Sequence, residues 1–119
     1  MIVRFTVPGP PVGYERTGGG RTRQRFKPTK TRRFMESVQS RWFITVAGRL
    51  PADFNAKRIR VACWYVNGVH PDGDNVLKAV IDALKGRAYK GDDRKLGGSF
   101  EPPLFDKENP RTVVEVLDE

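Results

Sequence analysis

The sequence has little of the residues that cross-link small proteins. Its 119 residues include one cysteine, Cys63, and one histidine, His70. An internal disulfide and a Cys/His zinc cluster are therefore both excluded. No stretch approaches the roughly 20 apolar residues of a membrane helix, and the N-terminus has neither the apolar core nor the cleavage site of a signal peptide. We therefore predict one soluble domain spanning 1–119, in the cytoplasm and without a membrane partner.

Acidic residues are scarce in the first half of the chain. Lys and Arg number 22 against 14 Asp and Glu, which gives a net charge of +8. Residues 1–50 carry 11 basic and 2 acidic side chains, whereas residues 51–119 carry 11 basic and 12 acidic ones. Because arginine predominates in the basic half, the distribution indicates a polyanion partner, and nucleic acid in particular.

Apolar periodicity predicts an α/β domain with a small mixed β-sheet and two main helices, in the order β-α-β-α-β-β. The strands are predicted at 2–7, 58–66, near 95–101 and at 112–117. Apolar residues recurring every fourth position predict a helix that begins at Thr29 and is closed by Gly48 and Pro51, and a wide apolar arc predicts a second helix over 75–85. Residues 13–28 combine glycine with arginine and lack apolar periodicity, which predicts a basic, mobile loop.

The first predicted helix carries more large apolar side chains than one small sheet covers. These side chains are Phe34, Met35, Trp42, Phe43 and Ile44. Because an exposed apolar remainder usually marks an interface, the helix predicts a homodimer. Cys63 lies on an apolar face in the middle of a predicted strand, so we interpret it as a small core residue and not as a nucleophile.

Carboxylates cluster around the second predicted helix. Asp72 is predicted just before this helix and Asp74 at its N-cap, while Asp92 and Asp93 follow the helix in a tight turn. If that turn returns to the same edge of the sheet, three or four carboxylates converge and repel one another. A hard divalent cation removes the conflict, and a ligand set made only of oxygen atoms selects Mg²⁺ or Mn²⁺ over zinc or copper.

Each of these acids also has a plain structural explanation. Asp74 suits an N-cap, and Asp72 and the 92–93 pair are common turn residues. Asp74, Lys78 and Asp82 lie one turn apart on the only polar stripe of the helix. An Asp74–Lys78 pair there would be worth only about 0.2–0.5 kcal/mol. The residues alone leave both interpretations open.

The string DGDNVLKAVIDAL at 72–84, followed by Asp92-Asp93, resembles the RusA family of Holliday-junction resolvases. These are small endodeoxyribonucleases, often encoded by phages or prophages. The family pattern is D-x-D-N-x-x-K-x-x-x-D-x-L with a D-D pair downstream, and all of it is present. The resemblance extends over the whole chain, including the opening strand and the basic loop, but only residues 72–93 carry specific motifs.

The resemblance implies a homodimer of α/β domains that cuts four-way DNA junctions with Mg²⁺. It places the metal-binding carboxylates on Asp72, Asp74 and Asp93 and the essential lysine on Lys78. Three further motif residues are interpreted as supporting or structural: Asn75, Asp82 and Asp92. In this scheme the cation activates a water that attacks the phosphodiester, and Lys78 neutralises charge developing on the phosphate or the leaving group.

Basic side chains of the loop and of the start of the first helix are predicted to follow the DNA backbone. They are Arg16, Arg21, Arg23, Arg25, Lys27, Lys30, Arg32 and Arg33. Two alternatives stay open beside the resolvase. One is a nucleic-acid-binding module without catalysis, in which the acids are caps and turns. The other is a Mg²⁺-dependent nuclease that acts on flaps or forks.

Overall fold

A computed structural model describes residues 1–14, 29–91 and 93–119, with only the backbone for Asp93. The elements in chain order are β1 (Ile2–Pro8), α1 (Thr29–Val46), β2 (Arg58–Tyr65), α2 (Gly73–Leu84), a 3-10 turn (Asp93–Lys95), β3 (Gly97–Phe100), β4 (Leu104–Phe105) and β5 (Arg111–Leu117). The predicted α/β class with a mixed sheet and two main helices is confirmed. The strand β4 was not predicted, because a strand of two residues is too short to show an alternating apolar pattern.

The five strands of the described residues form one mixed sheet in the order β1-β5-β2-β3, with β4 beside β2. β5 is antiparallel to both β1 and β2, whereas β3 and β4 are parallel to β2. β1 and β2 are therefore parallel to each other, and their carboxyl ends lie at the same end of the sheet. Loops following these two strands are consequently placed close together, which decides where the functional residues meet.

The edge of the sheet beside β2 is interrupted between β3 and β4. The N–H of Glu101 still donates to the carbonyl of Val61 at 3.0 Å, but Pro102 and Pro103 have no N–H to continue the ladder. Pairing resumes at Leu104, which lies opposite Trp64. The interruption leaves Phe100, Glu101 and Pro103 lining a cavity next to the carboxyl end of β2.

Both helices pack against one face of the sheet, α1 on β1 and α2 on β2 and β3. On β1 the residues Val3, Phe5 and Val7 are buried and the intervening residues are exposed, as a half-buried strand requires. The ring of Trp42 on α1 contacts that of Phe5 edge-on, with centroids 6.3 Å apart. Neither helix of the described chain is long and apolar enough to cross a membrane.

The aromatic face of α1 divides between the core and the surface. Phe34, Met35 and Trp42 are buried inside their own domain, so they contribute nothing to an exposed patch. Phe43 and Ile44 are 75% and 65% exposed. The apolar remainder expected from the sequence is thus present, but it consists of two adjacent residues.

Cys63 lies in the middle of β2 with its side chain in the core. Burial raises the pKa of its thiol, and this effect exceeds the opposing effect of the Tyr65 hydroxyl beside it. A protonated, inaccessible thiol is a poor nucleophile. The interpretation of Cys63 as a core residue is therefore confirmed.

Candidate active site

The start of α2 differs from the sequence prediction in a way that matters for the chemistry. The helix begins at Gly73, two residues earlier than predicted, so Asp72 and not Asp74 occupies the N-cap position. The Asp72 carbonyl accepts the N–H groups of Asn75 and Val76, at 3.0 and 3.2 Å. Its side chain makes no capping hydrogen bond. The prediction that Asp74 is the N-cap is wrong. Neither the Asp72 carboxylate nor the Asp74 carboxylate caps the start of the helix.

Gly73 allows this early start. A Cβ atom at this position would collide with the ring of Phe100, which lies against the first turn of α2. The absence of a side chain lets β3 approach the helix closely, and Phe100 fixes the position of the backbone between the two acids. Asp72 and Asp74 are exposed on either side of this contact.

Tyr14 is a residue of the site that no sequence motif identifies. It follows β1, and its N–H donates to the carbonyl of Asn75 at 2.9 Å. Gly13 permits this contact, because a Cβ there would lie 2.9 Å from the Cβ of Pro71. The only sequence signal was an isolated aromatic residue at the start of a glycine-rich segment, which does not distinguish a site residue from a loop anchor.

The polar stripe of α2 faces a cavity of about 230 Å³. The cavity is lined by Tyr14, Asp74, Leu77, Lys78, Ile81 and Asp82. The ammonium group of Lys78 lies over the ring of Tyr14, 5.5 Å from its centroid, a distance typical of a cation–π contact. Asp74 and Lys78 form no ion pair with each other. Lys78 is thus held by an aromatic ring and remains available to an anion.

A second cavity, of about 310 Å³, opens on the other side of the same carboxylates. We call it the aromatic cavity; its lining is Tyr65, His70, Asp72, Gly73, Asp74, Phe100, Glu101 and Pro103. The ring of His70 stacks on Tyr65 with centroids 3.9 Å apart, and its Nδ1 donates to the carbonyl of Pro71 at 2.8 Å. Glu101 was not anticipated either, because it ends a weakly predicted strand and belongs to no motif.

Tyr65 connects the core to this cavity. Its side chain is 3% exposed. Its hydroxyl has no hydrogen-bond partner within 3.5 Å in the described part of the chain. Burial raises the pKa of this phenol, and the neighbouring Cys63 and Asp72 raise it further. Tyr65 is therefore a neutral wall of the cavity at physiological pH.

The donors around Asp72 and Asp74 fit a hard divalent cation. Both carboxylates are exposed, line one cavity and are not tied to other described side chains. Carboxylate oxygens are the ligands that Mg²⁺ prefers. No group of three metal-binding side chains occurs among the residues described. Asp92 and the Asp93 side chain, which were predicted to complete or support the site, lie outside them.

The other predicted site residues divide by location. Asn75 is half-buried and holds Tyr14 through its carbonyl, while Asp82 is half-buried at the far end of the polar stripe. Lys30, Arg32 and Arg33 are exposed on the first turn of α1. The remaining predicted DNA contacts lie outside the described residues: Arg16, Arg21, Arg23, Arg25 and Lys27.

The first turn of α1 lies at the same end of the sheet as the carboxylates. Lys30 and Arg33 border one cavity with Pro8, the last residue of β1, and with Gly9, which follows it. Since β1 and β2 are parallel, the carboxyl end of β1 is also the end at which α2 begins. Open α/β sheets commonly bind ligands at this end of their strands.

Comparison with known proteins agrees with this geometry. A search of curated proteins gave no match. The family model of the RusA endodeoxyribonucleases matches residues 8–117, which is nearly the whole chain and includes both helices and the acidic motif. RusA enzymes are Holliday-junction resolvases, so the match also favours a nuclease over a binding module without catalysis. The chain belongs to the RusA endodeoxyribonuclease family.

Proposed function

We propose that this protein resolves four-way DNA junctions by Mg²⁺-dependent hydrolysis of a phosphodiester, with Mn²⁺ as a possible substitute. Asp72, Asp74 and Asp93 would hold the cation, and Lys78 would face the phosphate. The observation that carries the proposal is the start of α2. There Asp72 occupies the N-cap without using its carboxylate, and Asp74 is exposed one turn before Lys78.

In this proposal the carboxylates would bind the cation, and the basic groups would stabilise negative charge on the phosphate. When bound, a divalent cation supplies Lewis acidity to the phosphodiester and activates a water. Lys78, whose ammonium rests on the Tyr14 ring, would stabilise the charge that develops on the phosphate or the leaving oxygen. The first helical turn of α2 adds the positive end of its dipole beside the same carboxylates.

The basic start of α1 would hold the DNA arms. Lys30, Arg32 and Arg33 are exposed, and the first turn of α1 contains no acidic residue. Lys30 and Arg33 lie beside the carboxyl end of β1, on the same side of the domain as the carboxylates. A backbone crossing α1 could therefore deliver a phosphate to α2.

Replacing Lys30, Arg32 and Arg33 together by glutamine should weaken junction binding and reduce its salt dependence. The slope of log affinity against log salt should fall by roughly 0.9 for each duplex phosphate that the protein no longer neutralises, or about 2.7 for three phosphates. Fluorescence anisotropy over a salt series measures this slope. Arg49→Gln with Lys57→Gln is the control, since both residues are exposed at the opposite end of the sheet. An unchanged slope in the triple variant would place DNA binding elsewhere.

A homodimer would supply the two active sites that symmetric cleavage of a junction needs. The exposed pair Phe43 and Ile44 on α1 supports this part of the proposal. Both side chains border one shallow cavity with Arg87, which follows α2. Two adjacent large apolar side chains on a helix are a suitable centre for a two-fold contact.

The double substitution Phe43→Ser with Ile44→Ser should raise the dimer dissociation constant by at least about 100-fold, since each buried apolar side chain contributes about 1.5–3 kcal/mol. Sedimentation over a concentration series measures the shift. Ile2→Ser, an exposed apolar residue on the other face of the sheet, should leave the constant unchanged. If the unaltered protein keeps a mass near 13.5 kDa at every concentration, the dimer is refuted.

Cleavage of matched DNA substrates tests the proposed activity. A synthetic four-way junction, a linear duplex and a flap of related sequence are incubated with Mg²⁺, with Mn²⁺ or with EDTA. We expect paired cuts in opposite strands of the junction, only with a divalent cation. Preferential cutting of the flap would instead identify a flap or fork nuclease. Junction binding without any cleavage would overturn the catalytic proposal.

A further inference from the structure

The aromatic cavity contains much more than two carboxylates. Four of its lining residues present ring or apolar surface: Tyr65, His70, Phe100 and Pro103. The proposed chemistry uses none of them. Binding cavities typically combine such surface with a few polar groups that fix orientation. The composition therefore indicates a flat, largely apolar ligand beside the reacting phosphate.

Contacts between neighbouring side chains hold the walls of the cavity in position. His70 stacks on the buried ring of Tyr65 at an interplanar angle of 16°, and its hydrogen bond to Pro71 sets its orientation. The ring of Phe105 contacts His70 edge-on, with centroids 5.8 Å apart. Phe100 rests on Gly73 at the start of α2. A planar ligand would thus find rings already in place, which lowers the entropic cost of binding.

Charge decides which part of a DNA strand can enter. The charged groups that line the aromatic cavity are the carboxylates of Asp72, Asp74 and Glu101, and no described lysine or arginine lines it. Even with a divalent cation at Asp72 and Asp74, the carboxylate of Glu101 would repel a phosphate that entered the cavity. A nucleobase is planar and neutral, and its edge can donate hydrogen bonds to carboxylate oxygens.

We propose that the aromatic cavity receives one unstacked nucleobase of the strand that is cut, next to the scissile phosphate. This inference rests on the proposed function, because it places that phosphate at Asp72 and Asp74. Both carboxylates also border the cavity, so a base one nucleotide away is within reach. Bases at a branch point are easier to unstack than those inside a duplex. The cavity would therefore favour branched DNA over linear duplex.

Phe100 offers the best test of this inference. Its ring is 47% exposed although it lines the cavity, so one part packs on α2 and the rest is available for stacking. Base–aromatic stacking measured by alanine substitution predicts that Phe100→Ala weakens binding of cleavable DNA by roughly 5- to 150-fold. Phe100→Leu keeps an apolar contact with α2 but removes the stacking surface, so it separates stacking from packing.

The scissile phosphate is mapped first, on whichever DNA the protein cuts. 2-Aminopurine, whose fluorescence rises when it leaves the base stack, then replaces the bases on either side of that phosphate. Saturating wild-type protein in EDTA should raise the fluorescence at one of these positions. Phe100→Leu and Phe100→Ala should reduce the rise. Leu104→Ala is the matched control, because this neighbouring apolar residue pairs with Trp64 on the opposite face of the sheet.

The possible results separate this inference from the proposed function. Flat fluorescence on bound, cleavable DNA would overturn the inference alone. The inference would also be overturned if both Phe100 variants gave the full wild-type rise in 2-aminopurine fluorescence and bound the DNA with unchanged affinity. Cleavage of flaps in place of junctions would overturn only the proposed function, since the fluorescence is measured on the flap. A protein that cuts no DNA would overturn both.

Discussion

Replacing Asp74 by asparagine is expected to abolish divalent-cation-dependent cleavage while leaving junction binding intact or tighter. The substitution removes a charged oxygen ligand and one negative charge near the DNA, with almost no change in shape. Losing the several kcal/mol that a bound cation contributes to the transition state should slow cleavage by more than roughly 10³-fold. Single-turnover cleavage at saturating protein, together with a binding titration, measures the two effects separately.

The same result is expected for Asp72→Asn, and this substitution should also preserve the start of α2. Asp72 occupies the N-cap of α2, and asparagine is as good an N-cap residue as aspartate. Loss of activity could therefore not be attributed to an unravelled helix, which circular dichroism would verify. Asp53→Asn removes the same charge from an exposed position before β2 and should cut normally. Near-normal turnover in either site variant would exclude that residue from the site.

The sequence predicted the buried side of the fold better than the boundary where the site lies. The wide apolar arc of α2 was predicted correctly, because Val76, Ala79 and Val80 repeat at helical spacing and are buried. The first residue of α2 was predicted wrongly, because glycine normally disfavours a helix. Gly73 joins the helix because Phe100, 27 residues later, packs against it. A contact between distant residues of this kind leaves no local pattern in the sequence.

The same limit applies to the residues that complete the two cavities. Tyr14 reaches the site because β1 and β2 are parallel, and Glu101 because prolines interrupt the edge of the sheet. Both depend on which strands are neighbours, and periodicity does not reveal that order. By contrast, Asp74 and Lys78 are four residues apart on one helix, so their shared face follows from helical geometry alone.

Lys78→Ala is expected to spare the fold and slow the chemical step. The side chain is exposed on the polar stripe, so its truncation opens no cavity in the core. Removing a preorganised group that stabilises developing charge typically costs on the order of 10²–10³ in rate. The expected defect is therefore slow single-turnover cleavage on fully bound DNA, with junction affinity reduced far less than the rate.

Two further variants locate the origin of that defect. Lys85→Ala removes an exposed lysine from the other end of α2 and should cleave at the normal rate. Tyr14→Leu keeps apolar surface but removes the ring beneath the ammonium group. It should therefore produce a smaller defect than Lys78→Ala, and the two defects should not add in the double variant, since Tyr14 acts through Lys78. An unchanged single-turnover rate in Lys78→Ala would make this residue a surface charge and remove it from the chemistry.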